Sequence, residues 1–527
     1  MADPTAQRPR LRLAIVSDRS ASAVARLAER LQREVPAAQV AGLVYAPCTD
    51  PGPKPQEPGP MASSLLRFFH ACPRPSPRQE SFDVFALGDL CRAAGIAMVT
   101  AATAGAAEAQ NLLKSLDLDL VISYGGSLSQ ELWGACARKG TVFAEGALLA
   151  DAARGADAEQ LEVSVRYHPA SGTCIALGGQ RLPVESYDTS VSLRLKLDLL
   201  ARDLLVQAVG QLCSNGKGSA LVEALDASDM AGHLPVRLSP RRAARFPNWR
   251  QRPAWKLLAR TLLFGPMALL RNWYRRATGS FPVVILYHHL VSDRPHRMGI
   301  ATEMLLRHVR FLKRHYRLVS MQEALELLRS GRVDSPTVVL SLDDGYADNF
   351  INLRAVTEEE RVSATLFVCT EHQQSGREFA HDANRGQHGF PPLTWQQVAQ
   401  LRASGLEFGS HTRTHFDCGS TDAARLEHEI RGSRSDLEQN LGRISYFSFP
   451  WGNPQNMSQP AVELARRAYP HVFSGCGGAN FPVRDGQLWH LRRRCHTNHL
   501  WELELAVQGA LNLEFLGERP NLEESFA

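Results

Sequence analysis

What this 527-residue chain lacks narrows it first. Its formal net charge is only +5, too weak a field to argue for nucleic acid. It has no zinc-finger spacing and no aromatic-plus-basic RNA motif, so no nucleic-acid partner is expected. The ten cysteines are scattered without a CxxC pair, which speaks for reduced thiols rather than a disulfide framework. Met1 to Arg12 is polar, and no apolar leader core precedes the first expected strand. No uninterrupted apolar run reaches the roughly 18 residues of a spanning helix. A cytoplasmic protein is the expectation. No short internal repeat occurs, which excludes a solenoid.

What is present is core-forming sequence. The chain is 44% hydrophobic, and its length exceeds a single core, so two or three domains are expected. Leu11 to Ser17 reads as a buried parallel strand, Ala21 to Arg33 as a helix and Gln39 to Tyr45 as the next strand. That β-α-β rhythm suggests a doubly wound α/β domain over 11–210. Ala97 to Thr100 and Leu118 to Ser123 are further strands, the latter running into Tyr124-Gly125-Gly126. Asp188 to Val209 reads as a long closing helix, and the proline-rich stretch 46–61 as a loop.

A basic stretch comes next, and 211–280 reads as a linker. Between Arg241 and Thr278 stand ten Lys or Arg and no Asp or Glu. Trp255 to Tyr274 alternates large apolar residues with basic ones. Such a helix suits peripheral contact with an anionic membrane through 241–278. The plainer reading is a helix packed on its own domain with solvated arginines. Gly265-Pro266, which is expected to interrupt the helix, favours the plainer reading.

From Phe281 to about Asn512 strand-like and helical segments alternate. The strands expected are Pro282–Tyr287, Thr337–Leu342, Ala364–Cys369, Leu406–Ser410 and Ser445–Phe449. Repeated strand-helix units suggest an α/β barrel, whose working residues sit at the C-terminal ends of its strands. His288-His289, Asp343-Asp344, His411 and Pro450 each fall at such an end.

Those residues carry chemistry. Asp343-Asp344 offers two carboxylates at one strand end, although an Asp N-cap before Gly345 is the bland reading. His411-Thr412-Arg413-Thr414-His415 spaces two imidazoles by four, which puts them on one face if the turn is helical. Two histidines and Asp344 suit a catalytic zinc or similar divalent ion with open positions for water. Asp343 is then left as a base. At Phe449-Pro450-Trp451-Gly452 the backbone can turn toward a pocket, where an N–H could stabilise an oxyanion and Trp451 could stack on a sugar.

Together SLDDGYADN at 341–349, HTRTH at 411–415, FPWG at 449–452 and VVILYHH at 283–289 resemble the polysaccharide deacetylase (NodB-homology, carbohydrate esterase 4) family over 281–512. The resemblance implies a distorted (β/α) barrel. It also implies a divalent metal, most often zinc, on Asp344, His411 and His415, with Asp343 as general base. In the branch with an early Tyr-His element it implies His288 as general acid, with His289, His490 and His496 as alternatives. Where many members carry an arginine that orients the base, this chain has Ser448. Arg492, Arg493 and Arg494 are the candidates to replace it.

Residues 11–210 resemble, more faintly, the formyltransferase family through LRLAIVSD, DLDLVISYGGSLSQELW and DTSVSLRLKLDLLARDLLVQAV. Its Asn-x-His-Pro segment falls on Phe143-Ala144-Glu145-Gly146, and no Asp lies between Glu162 and Tyr187. The catalytic trio is therefore missing, and a degenerate domain is expected. The expected function is metal-dependent removal of an N-acetyl group from an amino sugar in a glycan, a lipid-linked precursor or a nucleotide sugar. The alternatives are an amino-sugar deformylase and a non-catalytic glycan-binding or assembly protein.

Overall fold

In the computed structural model, the described residues are 11–46, 84–100, 107–125, 136–150, 159–171, 173–214, 252–483 and 488–511. Most of the expected proline loop at 46–61, Gly126, and the expected linker between 215 and 251 lie outside them. Contacts divide the chain into two units, one holding the described residues up to 214 and the other those from 252 onward.

The first unit is built on β1 (Leu11–Ser17), β2 (Ala38–Tyr45), β3 (Ala97–Thr100), β4 (Leu118–Tyr124), β5 (Ala137–Ala150), β6 (Glu159–Pro169) and β7 (Ile175–Pro183). They form one sheet in the order β3-β2-β1-β4-β5-β6-β7. The first five are parallel, and β5-β6-β7 is an antiparallel meander. Strand order reverses between β1 and β4, the switch point of a doubly wound sheet. Helices α1 (Ala21–Glu34), α2 (Val84–Ala93), α3 (Ala107–Ser115) and α4 (Ser190–Ser214) complete the described elements. The Ser20 hydroxyl caps α1 by accepting from the Ala23 N–H. Phe143 to Gly146 lies inside β5 and pairs along β6.

The second unit opens with α5 (Ala254–Thr278), which packs on α8 (Leu500–Val507) through Leu257, Phe264, Ala268, Trp501 and Leu505. The expected interruption at Gly265-Pro266 does not occur. Pro266 sits inside one continuous helix, exposed, and the helix ends at Gly279 in the left-handed region. After it comes a closed parallel barrel: β8 (Val283–His288), β9 (Thr337–Leu342), β10 (Thr365–Val368), β11 (Glu407–Ser410), β12 (Tyr446–Ser448), β13 (His471–Ser474) and β14 (His490–Cys495). Closure comes from β8 pairing with both β9 and β14. Thr337 to Leu342 is buried at every position, as a strand with both faces covered must be. Two of the surrounding helices, α6 (Thr302–His315) and α7 (Ala423–Leu441), bring the buried side chains of His308 and Glu429 in from outside the barrel.

Candidate active site

The C-terminal strand ends converge on one buried cluster. β9 delivers Asp343 and Asp344, β11 delivers His411 and His415, and β12 leads to Pro450 and Trp451. Four of the chain's six non-glycine left-handed residues in the described regions stand here: Asp344 (φ 69°), Thr412 (66°), His415 (56°) and Trp451 (57°). Such conformations cost about 1 kcal/mol or more each and persist where the surroundings hold them for a purpose. The two adjacent acids, Asp343 and Asp344, meet different partners.

Asp344 faces the two histidines. Its Oδ1 lies 3.3 Å from His415 Nε2 and 3.7 Å from His411 Nε2. These three ligand atoms all fall within 4.8 Å of one another. His411 and His415 meet through a tight turn, with Thr412 and His415 left-handed, rather than on a helical face. Glu429 of α7 holds that turn by accepting from the N–H groups of Arg413 and Thr414, at 3.0 and 2.9 Å. His411 Nδ1 donates to the Ser448 carbonyl at 2.8 Å. A carbonyl can only accept, so the proton is on Nδ1 and Nε2 is left bare toward Asp344. Burial keeps both rings from charging.

Both Asp344 oxygens are buried with no hydrogen-bond partner among the described residues. Burial, with Asp343 and Asp382 nearby, pushes this carboxyl well above the usual carboxylate range. A buried acid facing two neutral imidazoles is costly by itself and fits a divalent cation. The described residues therefore suit the metal that the sequence implied.

Asp343 is held differently. Arg493, in the middle of β14, forks onto it at 2.6 and 2.9 Å and donates to the Ser448 hydroxyl at 2.6 Å. Burial alone would raise this carboxyl, but Arg493 and His411 hold it below its ordinary value. The guanidinium itself lies 5.0 Å from the ring centres of both Tyr287 and Phe367. Of the three arginines the sequence offered, Arg493 is the one on Asp343. Arg494 instead donates to the Ala506 and Val507 carbonyls of α8.

His288, the last residue of β8, and His289 just beyond it have different neighbours. His288 packs toward α6, its ring 5.5 Å from His496, which in turn bonds His308. Its Nε2 meets Asn498 Oδ1 at 3.0 Å, so its proton is committed there. Burial holds His288 neutral, down to about 4. His289 shares the Tyr287 side and interacts electrostatically with Asp343, His288, His411 and His381. Burial takes it to about 3, opposed by Asp343. His490 lies apart, bonded to the Ser474 hydroxyl.

Sequence reasoning missed His381, 3.6 Å from the second Asp344 oxygen and fixed by the Tyr346 hydroxyl. Only the DGY run, which contains Tyr346, hinted at it. Trp451 is half exposed, and its ring centre lies 4.4 Å from that of His415. No described residue accepts from the Trp451 N–H. Gly452, at φ 62°, has room for no side chain, because a Cβ would meet the Gly475 backbone at 2.3 Å.

Fold and site together define a (β/α)-barrel domain with a candidate Asp/His metal centre at the mouth of its barrel. Residues 330–468 match the family model for polysaccharide deacetylase. YxkH of Bacillus subtilis (strain 168), a protein named as a putative polysaccharide deacetylase, is 21% identical over 194 residues. That match covers 36% of this chain and 64% of YxkH, less than two thirds of the relative's length. The solved structure of IcaB from Ammonifex degensii is 21% identical with a TM-score of 0.37, covering 43% of this chain and 97% of IcaB. Phosphoribosylglycinamide formyltransferase from Bacillus halodurans is 16% identical with a TM-score of 0.26, covering 39% and 97%.

Proposed function

We propose that the barrel hydrolyses the N-acetyl group of an amino sugar within a glycan. The observation that carries this reading is the division of labour between adjacent carboxylates. Asp344 is aimed at two neutral histidines, and Asp343 is held ionised by Arg493. Asp344, His411 and His415 would hold a divalent ion, zinc being the expected one. When bound, it would polarise the amide carbonyl and acidify water. Asp343 takes the proton from the attacking water, with Arg493 fixing its direction. The Trp451 N–H donates to the carbonyl oxygen as charge builds there. Trp451 and Pro450 line the mouth, the exposed indole offering a face to the sugar ring.

The amine must leave protonated. His289 is the better-placed donor, because its neighbours are site groups, among them Asp343, which can pass it the proton taken from water, and His288's proton is spent on Asn498. His288 then orients the strand end. Comparing His289→Ala with His288→Ala checks this assignment: the larger loss of kcat is expected for His289.

The test of the whole reading is Asp343→Asn. Loss of a general base lowers turnover by about 10²- to 10⁴-fold. Acetate release from N-acetylated hexosamine oligomers should fall by that amount while the protein still binds zinc. Undiminished acetate release by the variant would sink the assignment. Formate release from matched N-formyl substrates, faster than acetate release, would favour the deformylase.

A further inference from the structure

Eight large apolar side chains are exposed among the described residues, and seven of them lie on α5: Trp255, Leu262, Leu263, Met267, Leu270, Trp273 and Tyr274. The eighth, Trp451, belongs to the active site. Exposure on α5 runs from 44% at Met267 to 73% at Leu270. At 100° per residue the seven share one face, opposite the Leu257, Phe264 and Ala268 face that packs on α8. Trp255 and Trp273 mark its ends, about 27 Å apart along the axis. Scattered exposed apolar residues need no explanation, but a continuous stripe with a tryptophan at each end does.

The helix also carries Lys256, Arg260, Arg271, Arg275 and Arg276 and no acidic residue. Arg260 and Arg271 are anchored on the flank by the Ala510 and Gln508 carbonyls. The Lys256 ammonium lies 5.4 Å from the Trp255 ring centre. Long cationic side chains at the border of an apolar stripe can reach phosphates while the stripe enters the acyl boundary. No described helix is long and apolar enough to cross a membrane, so α5 would lie in the interface.

We propose that the outer face of α5 binds the surface of an anionic lipid bilayer, apolar stripe down. Charge complementarity selects this occupant over a second copy of the chain. Two copies face to face would bring like-charged helices together with no acid on either. An anionic surface attracts each nearby cation by about 1 kcal/mol. The proposal is independent of the catalytic reading.

Sedimentation of the full chain with vesicles tests it. Binding is expected with phosphatidylglycerol/phosphatidylcholine vesicles, weaker with phosphatidylcholine alone and weaker at high salt. The Leu263→Glu/Leu270→Glu double variant should bind at least tenfold less, and the milder Trp273→Ala should bind several-fold less, both with unchanged melting temperature. Failure of the wild type to sediment with anionic vesicles would overturn the proposal. So would light scattering that shows a lipid-free dimer which the double variant turns into monomers.

Discussion

The first unit pairs its buried carboxylates with cations, whereas the barrel pairs one of two adjacent strand-end carboxylates, Asp343, and leaves the other, Asp344, facing histidines. In the first unit the switch point between β1 and β4 is where an open α/β sheet binds ligands. Here it is filled by the unit's own groups. The Ser17 hydroxyl donates to the Tyr124 carbonyl at 2.6 Å, and the Asp18 carboxylate occupies the space where Gly125 would carry a Cβ. Asp198 pairs with Arg19 at 3.1 Å, and buried Asp188 pairs with Lys196 at 2.7 Å. In the barrel, Asp344 is as deeply buried yet has no lysine or arginine salt bridge among the described residues. Opposite charges joined in pairs serve the fold. A buried carboxylate aimed at neutral imidazoles suits a cationic ligand.

The largest test of this contrast is Arg493→Met. Removing one partner of a buried ion pair leaves an uncompensated charge and costs about 3–5 kcal/mol. Here Asp343, the proposed base, also loses its two-point hold. Both the stability of the barrel and kcat should fall steeply, and chemical denaturation together with acetate release would show it. A loss of stability without a loss of turnover would mean that Arg493 is structural only.

Arg493 also marks how far the sequence could be read. The parallel barrel and the meeting of Asp343, Asp344, His411 and His415 at its strand ends were legible, because each sits in a short motif beside a recognisable apolar strand. β14 was not, since His490-Leu-Arg-Arg-Arg-Cys495 has the composition of a solvated segment. Its arginines are buried because each finds acceptors far away in sequence, Arg493 on Asp343 and Arg494 on α8. β13, His471–Ser474, was not read from the sequence either. The different neighbours of His288 and His289 come from residues far away in sequence, Asn498 for the one and Asp343 and His411 for the other. Glu429 and His381 reach the site from outside any motif, and only tertiary contacts assign them.

A paired comparison of substitutions is the next test in size. Asp188→Ala strands Lys196 in the first unit and should destabilise that unit by about 3–5 kcal/mol. Asp344→Asn in metal-free protein should do the reverse. It removes a charge that burial and Asp343 already disfavour, so the apo barrel should melt higher while zinc affinity collapses. Thermal melts with and without zinc read both effects. An apo melting temperature that falls in Asp344→Asn would place Asp344 among the stabilising charges and erase the contrast.

The smallest expected effect concerns acid. Buried neutral histidines are confined, among the described residues, to the barrel unit; His168 in the first unit is exposed. His308 is fully buried against His496, and burial takes it from the ordinary 6.5 to about 3. The unfolded chain therefore binds a proton that the folded barrel refuses, between about pH 6.5 and the folded value. Stability is constant above that window and falls as pH drops through it. At pH 5 one such histidine costs about 2 kcal/mol. The melting transition of the barrel should move down between pH 7 and pH 5 more than that of the first unit. A His308→Leu/His496→Leu double variant, which replaces both rings with apolar groups, should flatten that slope. Equal pH slopes for the two transitions, or a slope the double variant leaves intact, would show that these rings accept protons without loss of the fold.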